Sequence, residues 1–420
     1  MTGASPAARV HVIGAGLAGL SAAVALAGRG VPVVLSEAAR QAGGRCRSYH
    51  DAVLDMVIDN GNHLVLSGNP AVGRYLRAIG AENRLTGPSE AAFPFFDRGS
   101  GRRWILNPND GRVPWWILSA KRRVPGTSVG EYLALLALTR PHPGRRIDEV
   151  ISCRGVAWEK LLRPLLVSIL NTRPEEASAD LAGAVFRETL TKGGRHTWPR
   201  IATPSLAEAF VDPALDRLRK TGAEIRLGRP LRAVKIEGDR LVALAFDDGE
   251  ERLGPQDRVV LAVPPWTIQA LLPDVMVPDD FRAIVNAHFK VAPPAGAPLM
   301  VGLIGGTAEW VFAFADRLSV TVSAADRLLD MDNQVLTDLL WRDVAAVHDL
   351  SGPAPPSRIV KEKRATFAAT PAQEARRPGV RTQWTNVFLA GDWTATGLPA
   401  TIEGALRSGK TAAALAMGER

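Results

Sequence analysis

The segment His11-Val12-Ile13-Gly14-Ala15-Gly16-Leu17-Ala18-Gly19-Leu20 constrains this chain more than any other. A short apolar run ends in a Gly-x-Gly-x-x-Gly turn and passes directly into an Ala-rich stretch, so the local order is strand, tight turn, helix. Each glycine has its own task. Gly14 admits the turn, Gly16 lets backbone approach a pyrophosphate, and Gly19 permits close packing of helix on strand. The helix start at Leu17 and Ala18 offers free N–H groups and a positive dipole end to that phosphate. Val31 to Leu35 reads as a second strand closing on Glu37 and Ala38, with the carboxylate placed to accept from a ribose hydroxyl. The chain therefore begins with a dinucleotide-binding βαβ unit.

Composition narrows the rest. With 420 residues, 46% hydrophobic and 22% charged, the chain suits a globular protein of two interleaved domains. Two lone cysteines, Cys46 and Cys153, argue against a disulfide framework or a cysteine zinc site and fit a reducing compartment. No metal-ligand spacing and no Ser/His/Asp ordering stands out. The first ten residues lack the apolar core of a signal peptide, and no run reaches the roughly 18 apolar residues of a membrane span. The expectation is a cytoplasmic protein, or a peripheral one on the inner face of the cytoplasmic membrane. The net charge of +8 comes from Arg scattered along the whole length, with no nucleic-acid module.

One cluster departs from that scatter. Arg102, Arg103, Arg112, Lys121, Arg122 and Arg123 bracket Val113-Pro114-Trp115-Trp116-Ile117-Leu118. Indoles favour a membrane interface and cations favour anionic head groups, so the stretch around Trp115-Trp116 is a candidate monotopic patch. A core-packed Trp pair with a solvated basic rim accounts for it equally well.

Along the chain, Pro70 to Gly80 reads as an amphipathic helix, and Ser128 to Leu138, Ile147 to Ile151 and Val156 to Leu170 as helices of a cap. Ser205 to Gly222 is helical with a break or restart at Asp212-Pro213. Strands follow at Glu224 to Leu227, Leu231 to Glu237, Arg240 to Phe246 and Arg258 to Val263, then at Leu299 to Ile304, Trp310 to Ala315 and Leu318 to Ala324. A helix from Asp332 to His348 precedes a strand at Arg358. The fold class is α/β: a Rossmann-like FAD/NAD(P)-binding domain with an interleaved α+β substrate domain and a helical cap. Residues 1–80, 200–265 and 365–420 form the discontinuous nucleotide domain, and 81–199 with 266–364 the substrate domain. A cleft between them is the natural place for cofactor and substrate.

Two further motifs identify the nucleotide. Arg40-Gln41-Ala42-Gly43-Gly44-Arg45-Cys46-Arg47-Ser48 places a glycine pair and an arginine just after Glu37, where paired glycines admit close backbone approach and Arg45 can neutralise pyrophosphate. Near the end, Val387-Phe388-Leu389-Ala390-Gly391-Asp392-Trp393-Thr394 is a strand ending in Gly-Asp, and Gly397-Leu398-Pro399-Ala400-Thr401-Ile402-Glu403-Gly404-Ala405 enters a last helix. Together with the opening turn they resemble the FAD-dependent amine oxidase superfamily. That resemblance implies FAD, with Asp392 on a ribityl hydroxyl and the helix start at Thr401 and Ile402 facing the flavin's carbonyl end. It also implies cofactor contacts at Asn60, Gly61, His63 and Val234.

A narrower resemblance rests on Asp59-Asn60-Gly61-Asn62-His63, read as lying on a strand, on Leu170 to Ala179, on Trp198-Pro199-Arg200 with Ala209 to Ala214, and on Lys361 to Phe367. These are similar to the squalene-associated branch, the hydroxysqualene dehydroxylases. Membership implies reduction of hydroxysqualene to squalene with loss of water for bacterial hopanoid synthesis, and a hydrophobic triterpene substrate handed over from squalene-synthase-like enzymes. NADPH is the implied reductant, although no separate nicotinamide motif is visible.

The reaction needs an acid for the departing hydroxide and a dry apolar cavity. Trp104, Trp115, Trp116, Phe289, Trp310, Phe312 and Phe314 are candidate walls. His63 is the first candidate proton donor, because imidazole titrates near neutrality; a His bonded to flavin or backbone is the competing reading. Asp59 is the second, or else fixes Arg45 or the strand turn. The alternatives in function are an FAD desaturase or amine oxidase acting oxidatively on another lipid or amine, and a redox-inert FAD-binding scaffold.

Overall fold

A computed structural model describes residues 8–419; most of the stretch judged for a signal peptide lies outside them. The nucleotide unit is a five-stranded sheet in the order Glu224–Arg226, Val33–Ser36, Val10–Ile13, Arg258–Leu261, Val387–Leu389, with every pairing parallel. Parallel strands are covered on both faces, which is why Val10–Ile13 and Val33–Ser36 are buried at every position. Helices Leu17–Ala27 and Ile402–Ala416 join Val10, Val12 and Leu35 in one apolar cluster. They approach so closely that a Cβ on Gly409 would stand 2.0 Å from the Ala18 carbonyl oxygen. The first and last helices of the described residues are thereby packed on each other.

The second unit is a seven-stranded sheet ordered Ser357–Phe367, Phe281–Phe289, Leu318–Val322, Trp310–Ala313, Met300–Ile304, Phe93–Asp97, Arg102–Leu106. Alternate residues divide between its faces. Phe289, Val311 and Val320 pack with Leu336, Leu340 and Trp341 of helix Asn333–His348. Phe95, Trp104, Trp310 and Phe312 belong instead to the cluster shared with cap helices Val129–Leu138, Arg163–Leu170 and Ala179–Glu188.

Several local expectations change. The break at Asp212-Pro213 is a widened turn: Ala207–Val211 is π-helical and Asp212–Lys220 continues as α-helix. Proline lacks an N–H and clashes with the preceding turn, and one wide turn ahead of it accommodates both. Trp158–Leu162 does the same ahead of Pro164. Ile147 to Ile151 contracts to a single 3-10 turn, Ile147–Glu149.

Strand Phe281–Phe289 is hidden in the sequence because Asn286 and His288 interrupt its apolar run. Both are buried and bonded. Asn286 Oδ1 accepts from Thr321 Oγ1 at 2.8 Å, and His288 bridges the Asp59 carbonyl at 3.0 Å and Ser319 Oγ at 2.9 Å. The Asp59-to-His63 motif is itself corrected. Its strand, Met56–Asp59, ends at Asp59, and residues 60–63 form a loop before Leu64–Leu66. Two asparagines around a glycine favour a turn, and this one lies against the larger sheet, with a Cβ on Gly61 reaching 3.0 Å from Asn286 Nδ2.

Candidate cofactor and active site

The three glycines of the opening turn meet different surroundings. Gly14 has φ +102°, and a Cβ there would lie 2.4 Å from the Ala262 carbonyl oxygen; one on Gly19 would lie 1.8 Å from the Gly14 carbonyl oxygen. These two serve packing. A Cβ on Gly16 would meet nothing within 4 Å. Its open side lies at the start of helix Leu17–Ala27, which has no side-chain cap and no acid in its first turn. Free N–H groups, a positive dipole end and open space together fit a diphosphate.

The second glycine pair closes on the first turn. Gly43 N–H donates to the Ala15 carbonyl at 2.8 Å, Gly16 and Gly43 bridge, and a Cβ on Gly44 would stand 3.4 Å from Gly16 Cα. Glu37 ends its strand with Oε2 accepting from Ala15 N–H at 2.6 Å and Oε1 from Ala39 N–H at 2.9 Å. That fixes the carboxylate and leaves acceptor capacity for a ribose hydroxyl. Ala38 follows it, exposed.

The closing motif arrives from the far end of the chain. Asp392, buried, receives Arg45 Nη2 on both carboxylate oxygens at 2.7 and 2.8 Å. Thr401 caps helix Ile402–Ala416 by accepting from Gly404 N–H at 3.1 Å, so Thr401 and Ile402 stand at a helix start as the sequence implies. Glu403 does something the sequence does not show. Its carboxylate accepts from Ala71 and Val72 N–H at 2.9 to 3.0 Å and caps helix Pro70–Ile79, whose own N-cap Asn69 makes no such bond. Arg377, which no motif singled out, is fully buried and donates to the Asp392 carbonyl at 3.1 Å, to Thr396 Oγ1 at 2.8 Å and to the Thr394 carbonyl. It holds the turn after Gly391 in shape.

Where the two units meet, Asp59, Asn62, His63, Ile201, Ala202, Leu206, Phe312 and Phe314 line a crevice of about 10 Å³. That is room for roughly one water or one hydroxyl group. Asp59 is 2% exposed. Its Oδ1 accepts from Ser48 Oγ at 2.6 Å and Leu206 N–H at 2.9 Å, while Oδ2 has only Arg317 Nη2 at 3.6 Å. Burial pushes the Asp59 carboxyl up, against the pull of Ser48, Leu206 and Arg317. Arg317 is itself buried, with Nε and Nη2 lacking a hydrogen-bond partner among the described residues. Asn62 donates through Nδ2 to the Val320 carbonyl and Thr321 Oγ1, which leaves Oδ1 unpartnered. His63 is half-buried; desolvation and the Arg45 charge bring it down to about 4. At neutral pH it is an uncharged imidazole and a poor source of protons.

Residues 17–417 match the family of flavin containing amine oxidoreductases. Hydroxysqualene dehydroxylase of Rhodopseudomonas palustris is 51% identical over 97% of this chain and 98% of its own length, and that of Zymomonas mobilis 48% over 97% and 98%. The chain belongs to the hydroxysqualene dehydroxylase branch of the flavin-containing amine oxidoreductases. It is an FAD-dependent oxidoreductase. A 15-cis-phytoene desaturase of Synechococcus elongatus is more distant, 24% identical over 96% of this chain and 95% of its own. Among solved structures, putrescine oxidase with putrescine bound superposes at a TM-score of 0.71 and 16% identity, covering 99% of this chain and 100% of that one. Cyclohexylamine oxidase from Brevibacterium oxydans does so at 0.68 and 16%, covering 98% and 99%. These two likenesses establish the fold.

The remaining candidate residues of this flavin oxidoreductase separate. Asn60 donates through Nδ2 to Glu362 at 3.0 Å and so ties the loop to strand Ser357–Phe367. Val234 is half-buried on Leu231–Glu237 opposite Leu244, packed into the cluster that includes Leu244. Asp59 does not fix Arg45, which is taken by Asp392. Of the aromatic candidates only Phe312 and Phe314 line the crevice. Trp104 and Trp310 both pack on Phe95, Phe289 faces the opposite side of the sheet, and Trp116 is buried edge-on to Tyr132. Trp115 points outward, half-exposed. The paired indoles thus divide between core and surface, as neighbours on a tight turn must.

Proposed function

We propose that this chain reduces hydroxysqualene to squalene with loss of water, in hopanoid synthesis, and that NADPH is the source of electrons. One observation carries the reading: a buried carboxyl, Asp59, lines a small crevice between the two units with one oxygen free of any hydrogen bond among the described residues. Bound FAD, once reduced, supplies the hydride that replaces the hydroxyl at the allylic carbon.

The chain's own part is to hold the alcohol and move a proton. The crevice accepts the hydroxyl beside Asp59 Oδ2, and Asn62 Oδ1 is free to accept the hydroxyl's own hydrogen, turning a lone pair of its oxygen toward the acid. As the C–O bond breaks, the Asp59 proton joins the departing oxygen and the product is water. A carboxyl raised by burial keeps more of the protonated form near neutral pH. The ring of Phe312 offers a π face to positive charge developing on the allylic carbon, while Phe314, stacked on it at 6.5 Å, already carries the Arg317 guanidinium 4.1 Å from its centre. The deciding experiment is anaerobic incubation of flavin-loaded protein with NADPH and hydroxysqualene, with squalene as the expected product. Bleaching of the flavin by substrate alone, with reoxidation by oxygen, establishes an oxidative desaturase instead; stable flavin without turnover establishes a scaffold.

A further inference from the structure

The cap carries an apolar surface that the reaction does not use. Helix Val129–Leu138 has one charged residue, Glu131, and spends it at its own start on Ser128 and Ala157 N–H. A surface helix of a soluble protein ordinarily turns a polar face outward. This one turns out Leu133 and Leu136, each more than half exposed.

The turn before it is similar. Val113, Trp115 and Leu118 are each half or more exposed. The two segments form one unit, because Trp116 packs edge-on to Tyr132 at 5.3 Å and Tyr132 Oη accepts from Val124 N–H at 3.0 Å. Leu136, one helical turn beyond Tyr132, falls on nearly the same face.

Charge selects the occupant. Residues 99–130 hold six cations and a single acid, Asp110, which Arg195 already engages at 3.3 Å. Arg112 and Lys121 are exposed beside the apolar side chains, and the Arg122 guanidinium lies 4.6 Å from the Trp115 ring centre. A second copy of the chain on this face would set cations against cations across a two-fold axis. We propose that this face docks on an anionic lipid bilayer, with Val113, Trp115, Leu118, Leu133 and Leu136 entering the head-group boundary and the basic residues meeting lipid phosphates. The inner side of the same cap packs on Trp104 and Trp310, so docking brings the bilayer's apolar phase close to the substrate unit. That last point rests on the triterpene reading; the surface chemistry stands without it.

Flotation of the flavin-loaded protein tests the docking, with vesicles of phosphatidylcholine alone or mixed with phosphatidylglycerol. The wild type is expected to float with the mixed vesicles and to lose binding as salt rises. Trp115→Ser/Leu118→Ser, and independently Leu133→Gln/Leu136→Gln, are expected to lower partitioning about tenfold or more. Lys121→Gln/Arg122→Gln should lower it about tenfold at low salt and match the wild type at high salt. Activity on detergent-dispersed substrate checks that the variants are intact. A wild type that stays with the lipid-free fraction, variants that float equally well, or a dimer abolished by the apolar variants while flotation persists would each overturn the proposal. Vesicle binding without dehydroxylation sinks the triterpene reading and leaves the docking; dehydroxylation without vesicle binding does the reverse.

Discussion

Two buried carboxylates, Asp392 and Asp59, each face an arginine, and only one of the pairs is closed. Asp392 takes Arg45 on both oxygens and so locks the second glycine motif to the last one. Asp59 stands 3.6 Å from Arg317, and Arg317 keeps two nitrogens without partners. The closed pair fixes a shape, as expected where the task is to hold a large ligand. An open pair in a low-dielectric setting leaves the carboxyl free to exchange a proton, and spare donors and acceptors in such a place are costly unless used. Binding and chemistry are built on opposite terms.

The binding side should break on a single side chain placed at Gly19, and this is the largest effect. Gly19→Val puts side chain where 1.8 Å separates Cβ from carbonyl oxygen, so flavin-loaded soluble protein should not be recovered. Gly16→Ala meets no protein atom within 4 Å. Its apo form should unfold within about 0.5 kcal/mol of the wild type, while flavin affinity falls roughly 10- to 100-fold if the diphosphate approaches there. Equal flavin retention after dialysis would move the diphosphate elsewhere.

On the open side the effects are smaller and graded. Removing the Arg317 charge should favour protonated Asp59, so Arg317→Gln is expected to move the alkaline limb of the rate profile up by roughly one pH unit. A merely structural role would change the rate without moving the limb. His288 bears on stability and not on the step itself. It is fully buried and brought down to about 3 by desolvation and the Arg317 charge. Below about pH 6.5 the unfolded imidazole binds a proton that the folded one refuses, so stability is full above that value and declines with acid, by roughly 3 kcal/mol at pH 4. Denaturant unfolding between those pH values should be flatter in His288→Gln; an unchanged slope would remove His288 from the account.

The same contrast governs what could be read in advance. The glycine turns and Gly391-Asp392 are legible because strand, turn and helix start are written in consecutive residues. Which partner each side chain takes is not. Arg45 and Asp392 both stand out in the sequence, yet nothing local joins residues 347 positions apart. Glu403 looks like an acid at its own helix start and caps another helix 332 positions earlier. A free imidazole titrates near neutrality, and it is burial of His63, with the Arg45 charge beside it, that removes that capacity. Arg317 belongs to no motif; its meaning comes from Asp59 and Phe314, which the fold sets beside it. Asn286 and His288 mislead for the same reason, since polar residues in a buried strand make sense only against the loop and strand they bond.

The most direct measurement is single-turnover dehydroxylation by pre-reduced enzyme near neutral pH, with Asp59→Asn and His63→Asn compared at equal flavin content. The asparagine at 59 keeps an oxygen for Ser48 and Leu206 but carries no acidic proton. It should slow the step about 100-fold or more, with His63→Asn within roughly tenfold of the wild type. A near-normal rate in Asp59→Asn, with the loss falling on His63→Asn, would contradict the assignment of the proton to the open carboxyl.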